Sequence, residues 1–251
     1  MRTFKAYLRK EIVESTREYR YLILAVGILL FAISSPIMLK LLPEILKTQA
    51  QGDLSVLIPN TRTYAIQSYI KNLFQVSGIF IIFSICGLLS DEINNQKFVF
   101  PYSKGGSPAG IVLAKFVHYS VVICIFILFG FLVNFYYSNI LFKSGGVEFY
   151  RDVISGLLIG LYYVTNVSLT LFLSSFSKKG IIAGIATLVI GYLFMGLSKI
   201  SVISKYIPYT LIDKANNFKF DDIFVTIIVS FLITGALVFL TVRRMAKVEI
   251  I

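Results

Sequence analysis

Few side chains in this 251-residue sequence are equipped for chemistry. There is one histidine, His118, and there are two cysteines, Cys86 and Cys124. Both cysteines lie inside long apolar runs, where a thiol serves as a small buried hydrophobe more readily than as half of a disulfide or a metal ligand. His118 stands near the start of an apolar run, a place that suits an interfacial side chain better than a proton relay. A catalytic or metal centre needs carboxylates, imidazoles or thiols converging at one depth, and one histidine does not supply that. No G-x-x-x-x-G-K-[ST] phosphate loop occurs. The expectation is therefore a chain that is not itself an enzyme and holds no cofactor or metal. The polar residues within the runs are Asn134, Thr165, Asn166, Ser168 and Thr170. They read either as the lining of a substrate path or as hydrogen bonds between helices.

The most informative polar segment is 91–110. It begins acidic with Asp91 and Glu92, continues through Gln96 and Lys97, and turns aromatic at Phe98, Phe100 and Tyr102. The rings fall on one side of a short piece that Pro101, Gly105, Gly106 and Pro108 break. Such rings have no core of their own, so the segment reads as a docking element for membrane or partner.

The elements that must position these groups follow from the hydropathy pattern. The composition is 57% hydrophobic and 15% charged, with a mean hydropathy of +0.80, against about a quarter charged in soluble domains. The apolar residues form six runs free of Asp, Glu, Lys and Arg, at 21–39, 73–90, 116–134, 153–176, 180–197 and 223–242. A span needs about 20 apolar residues, with about 17 as the lower bound, because every backbone amide must be paired across some 30 Å of hydrocarbon. All six meet it. The expected fold is an all-α integral membrane protein with six transmembrane helices.

Lys and Arg crowd at 2–20, in 97–115, at Lys178 and Lys179, and at Arg243, Arg244 and Lys247, which places both termini in the cytoplasm. The net charge of +11 is spread over membrane flanks. That favours anionic lipid headgroups over nucleic acid as the counter-charge. The first apolar run is too long for a cleaved signal and reads as a retained anchor. Ahead of it, Phe4, Tyr7, Leu8, Ile12 and Tyr19 recur near helical spacing, with Arg9, Lys10, Glu14, Arg17 and Glu18 opposite, which reads either as an interfacial helix over 1–20 or as a positive-inside topogenic signal with no further role. Gly156 and Gly160, then Gly180 and Gly184, stand four apart and suit close helix packing within the chain. Asp221 and Asp222 read as caps of the last span. The segment 198–219 is too apolar for a free loop and is expected to fold back into the outer leaflet.

With these features in place the chain resembles the permease subunit of type-2 ATP-binding cassette transporters, in the branch that includes sodium and bacitracin-resistance exporters. Glu92 falls on the acidic position of that family's loop, Ser107 on its serine, and Ala114-Lys115 on its Ala-Lys. The stretches Ile58-Pro59-Asn60-Thr61 and 67–72 are similar to the family's approach to its second span. The family's Gly-Thr is Gln96-Lys97 here, and its Pro-Val-Ser-Arg is replaced by Gly105, Gly106, Ser107 and Pro108. The resemblance implies an elbow helix at 1–20, a six-span domain over 21–251, a coupling helix in 91–110 and short re-entrant helices in 198–219. It implies Glu92, Gln96, Lys97, Phe98, Phe100 and Tyr102 as the surface that couples to a separate ATPase chain, which binds the ATP and magnesium. It also implies a homodimer or heterodimer of permeases, in a multi-pass location in a prokaryotic cell membrane. The expected function is ATP-driven export of an amphipathic or hydrophobic substrate such as a peptide, antibiotic or lipid. The alternatives are a sodium or other small-ion exporter, and a non-transporting scaffold that recruits a cytoplasmic partner.

Overall fold

The computed structural model describes residues 2–49 and 61–247. Every regular element among them is helical: α1 (Arg2–Arg17), α2 (Arg20–Gln49), α3 (Arg62–Asn72), a π-helical turn (Leu73–Ser77), α4 (Gly78–Ile85), α5 (Ser90–Asn94), α6 (Val99–Ser103), α7 (Pro108–Leu141), α8 (Phe149–Ser174), α9 (Gly180–Leu197), α10 (Ser201–Ser204), α11 (Thr210–Asn217) and α12 (Ile223–Met245). Six helical stretches among these residues are long and apolar enough to cross a membrane: Arg20–Pro43, Arg62–Asn94, Pro108–Leu141, Phe149–Ser174, Gly180–Leu197 and Ile223–Met245. The chain is an all-α integral membrane protein.

The helices outrun the apolar runs at several ends, and that changes what they contain. The second span begins at Arg62, because Thr61 accepts from the Tyr64 amide as an N-cap and the polar turns of α3 then pack against α2, α7 and α11. Lys115 lies inside α7 and Asp152 inside the first turn of α8. The runs are free of charge; the helices that contain them are not.

The fourth span is central. About two thirds of its most apolar window is buried, against about a fifth for the last span, and α8 packs on α4, α7, α9, α11 and α12. On α7 the buried residues Ile123, Ile127, Gly130, Phe131 and Asn134 face inward, while Val121, Ile125, Phe129, Leu132 and Tyr136 form an exposed stripe. Both stripes are apolar, since lipid and protein interior are alike in polarity and cohesion must come from close packing and hydrogen bonds. The small-residue positions supply that packing within the chain. Gly156 abuts Leu128 and Phe131, and Gly160 abuts Cys124. A Cβ on Gly180 would lie 2.6 Å from the Cα of Gly87, so the start of α9 touches the backbone at the break after α4.

Pro36 inside α2 brings a second kind of joint. It has no N–H for the carbonyl of Ala32, and Asn134 Nδ2 donates to that carbonyl at 2.9 Å instead. The π turn in the second span is tied in the same manner, with Tyr163 Oη donating to Leu73 O at 2.7 Å.

The segment 198–219 folds back on the bundle as α10 and α11. Leu211, Ile212 and Ala215 are buried, Ser155 Oγ donates to Ala215 O at 3.1 Å, and Gln67 Nε2 donates to Asn216 O at 2.8 Å. Asp222 occupies the N-cap position of α12 in a left-handed conformation with no side-chain capping bond. Asp221 contributes only its carbonyl, to Lys214. The expected carboxylate caps are therefore absent, because the turn before α12 points both side chains outward.

Candidate functional site

The loop after the second span is built on a break and a second descent. Span two ends in a turn at 86–89, which Ser174 of α8 stitches by donating to Cys86 O at 2.8 Å and accepting from the amides of Leu89 and Ser90 at 3.3 and 3.0 Å. α5 follows. Gln96 then takes a φ of 54°, the left-handed region that costs a non-glycine residue about 1 kcal/mol or more. That reversal sets α6 at an angle below the bundle. Gly105, with a φ of 74°, and the Ser107-Pro108 N-cap, with Ser107 Oγ accepting from Gly110 N at 3.2 Å, start α7.

Beneath this loop lies an alternating cluster of three carboxylates and three ammonium groups. Lys115 is 1% exposed and reaches Glu11 at 2.7 Å and Glu92 at 3.0 Å; Glu11 is fully buried. Lys10 pairs with Glu92 and, at 3.2 Å, with Glu14, which Lys97 also approaches at 3.6 Å. Helix α1, the loop and the third span thus share one ion-paired knot. Burial would raise the Glu14 carboxyl, but Lys10, Lys115 and Lys97 outweigh it and hold it below the usual carboxylate range. Burial would likewise depress the Lys10 ammonium, yet Glu92, Glu11 and Glu14 hold it above its ordinary value. Burial, with Glu92 adding to it, pushes the Tyr7 and Tyr102 hydroxyls up to about 12, so both stay neutral. The carboxylates of Glu11, Glu14 and Glu92 lie close enough together to suggest a metal site, but their charge is matched one for one by Lys10, Lys97 and Lys115.

The six residues expected to form a coupling surface separate into two groups. Glu92 and Phe98 are buried, Glu92 in the knot and Phe98 stacked on Tyr102 with ring centroids 5.8 Å apart. Tyr102 is half-buried and donates from its hydroxyl to Met245 O, which ties the loop to the end of the last span. Gln96, Lys97 and Phe100 face outward, Phe100 at 65% exposure with Lys104 Nζ 4.3 Å from its ring centre. The three rings do not share one side, because the α6 turn rotates Phe100 away from its neighbours.

Helix α1 turns differently from the face read in its sequence. It buries Tyr7, Glu11 and Ser15 against the third span and leaves Ile12 and Tyr19 exposed. Ser15 lies within hydrogen-bond distance of His118 and Tyr119, and Tyr21 reaches His118 at 3.2 Å. His118 is thus an interior strut between α1, α2 and α7. Reading by hydropathy passed over Glu11 and Lys115, whose burial depends on partners 104 residues apart. The signal that marks Glu11 is its spacing of four from Tyr7 and from Ser15, which sets the three on one face of the helix.

The residues proposed for a substrate path do not come together. Asn134 bonds the Pro36-freed carbonyl in α2. Ser168 and Thr170 return their hydroxyls to carbonyls of their own helix, and Thr165 joins Thr234 of α12 at 3.1 Å. Asn166 borders a small hollow, with Tyr162, Tyr163, Thr187 and Tyr192, of about 10 Å³, the room of one water. Ile58, Pro59 and Asn60 lie outside the described residues.

The opposite end of the bundle holds a group the hydropathy reading placed outside the spans. Asp152 is fully buried and neither carboxylate oxygen accepts a hydrogen bond. An unpaired buried carboxylate costs several kcal/mol, more than the up to about 2 kcal/mol a helix N-terminus returns.

Comparison of the sequence with models of known protein families and with curated proteins gives no match.

Proposed function

We propose that this chain is the membrane permease subunit of an ATP-driven exporter of the type-2 ATP-binding cassette class, with its termini and the α5–α6 loop in the cytoplasm of a prokaryotic cell. The observation that carries this reading is the α5–α6 loop, two short helices fixed to the bundle by the knot while Phe100, Lys97 and Lys104 face outward. A loop that is rigid toward the bundle and bare toward solvent can pass a push from a partner into the spans. The φ of 54° at Gln96 adds support, since glycine suits that conformation and the resembled family has glycine there.

The partner is a separate ATPase chain that binds ATP and magnesium, and a second permease completes the transporter. The substrate class is amphipathic or hydrophobic, a peptide, antibiotic or lipid, in keeping with spans that are apolar on both faces. The test is co-expression with ATPase chains encoded nearby, purification in mild detergent, and ATPase assay of the complex. Phe100→Ala, which removes an exposed ring without touching the core, is expected to lower substrate-stimulated ATPase activity at least tenfold at unchanged stability. Absence of any ATPase in the purified complex would sink the reading in favour of a scaffold.

A further inference from the structure

Asp152 lies on α8, which packs against α7 and α11 at the end of the bundle away from the termini. Contacts of Cys124 with Gly160, of Leu128 and Phe131 with Gly156, and of Phe135 with Phe149 fix the antiparallel register of α7 against α8. That register sets Asp152 level with Asn134, whose Oδ1 has no hydrogen-bond partner. From α3, the buried Tyr69 hydroxyl stands within electrostatic reach of the carboxyl and is also unpartnered. Gly130 makes room for it, since a Cβ there would come within 2.1 Å of the Tyr69 oxygen.

No described cation pairs with Asp152. Arg151, its neighbour in sequence, faces Tyr150 and Glu148 at the surface. On α11, Asp213 is turned to Lys199 at 3.6 Å and Lys214 to the Asp221 carbonyl. Asp221 and Asp222 ahead of α12 are exposed. The positive end of the α8 dipole favours negative charge, but a shared partial charge does not replace the lost hydration of a carboxylate with two bare oxygens. A protonated carboxyl resolves this arrangement: it is neutral, and oxygen acceptors of the kind its O–H requires stand unpartnered at Asn134 on α7 and at Tyr69 on α3.

We propose that Asp152 is a proton-binding site, loaded in the packed arrangement described here and emptied to water when this end of the bundle opens. An open hollow of about 380 Å³, lined by Thr63, Gly146, Val147, Glu148, Arg151 and Phe218, adjoins the turn that carries Asp152 and gives the proton its way in and out. On opening, the carboxyl O–H bond breaks, the proton passes to a water molecule in that hollow, and the carboxylate is left hydrated. Because the packed form binds one proton more than the open form, acid favours closure of this end and alkali favours opening. The proposal stands apart from the ATPase reading, since it needs only the packing of this end.

Infrared spectra of the full chain in lipid nanodiscs, followed through a pH titration, read the carbonyl stretch of an un-ionised carboxylic acid directly. Wild type is expected to keep such a band at neutral pH, to lose it in Asp152→Asn, to shift it in Asp152→Glu and to retain it in Glu92→Gln. A wild-type spectrum with no un-ionised carboxyl at neutral pH would overturn the proposal whether or not the variants fold. A band that survives in folded Asp152→Asn would overturn it as well, by assigning the proton elsewhere.

Discussion

The two ends of this bundle treat buried carboxylates in opposite ways. At the end with the termini, Glu11 and Glu92 are removed from water together with Lys115, and Lys10, Glu14 and Lys97 extend the alternation to the surface. At the other end Asp152 is equally buried, and among the described residues no ammonium or guanidinium pairs with it. The first arrangement has opposite charges fixing three segments in one register. The second has a single group whose charge depends on whether water reaches it. A matched knot suits a joint that must stay shut, and an unmatched acid suits one that opens.

That contrast can be broken most severely at Lys115. Lys115→Met removes the close partner of buried Glu11, leaving only Lys10 at 3.8 Å, and is expected to cost about 3–5 kcal/mol, read from the unfolding midpoint in detergent; a loss below about 1 kcal/mol would mean the knot is not structural. Acid is expected to loosen the same end less completely. The Glu14 carboxyl sits below its usual range, so its contribution is present above the unfolded value of about 4.3 and is lost as pH falls through the folded one. Protease cleavage within 95–106 should rise in that window, and unchanged cleavage would argue against the knot as the tether. Gly180→Ala should cost about 1–3 kcal/mol by overpacking against Gly87.

A sharper comparison comes from smaller effects. Gln96→Gly relieves the left-handed strain and is expected to stabilise the chain by about 1 kcal/mol. A loss of stability instead would show that the Gln96 side chain matters more than its backbone. Asp152→Asn, close in shape to a protonated acid, should change stability at neutral pH by less than about 1 kcal/mol, because no charge is lost. A loss as large as that for Lys115→Met would place both acids in the ionised class and erase the difference between the ends.

The spans were legible in the sequence because lipid demands long apolar stretches and hydropathy reports them directly. Their true ends were not. α3 is polar at Arg62, Thr63, Gln67, Ser68 and Lys71, and it becomes helix by packing on α2, α7 and α11, which no local pattern announces. The same blindness hid Asp152, which stands one residue before an apolar run yet belongs to the helix that contains it. The α5–α6 loop was legible as a place, from its turn residues and rings. Its division into buried Phe98 and exposed Phe100 was not, since that depends on one left-handed residue, Gln96. The polar residues of α8 could be read two ways for a related reason: helices return hydroxyls to their own carbonyls, and polarity inside a span reports satisfaction as readily as passage.

Ser174 gives the loop a second line of attachment. It holds the backbone of residues 86–90 to the end of the fourth span, and Asn94 Nδ2 donates to the carbonyl of Lys178 in the turn that follows. A force applied to the loop is therefore divided between two load paths, one up its own span and one through the turn into the root of α9, where Gly87 bears on Gly180. The loop works less like a handle on one rod than like a yoke across two, and a thrust along it would tilt the second and fifth spans in step.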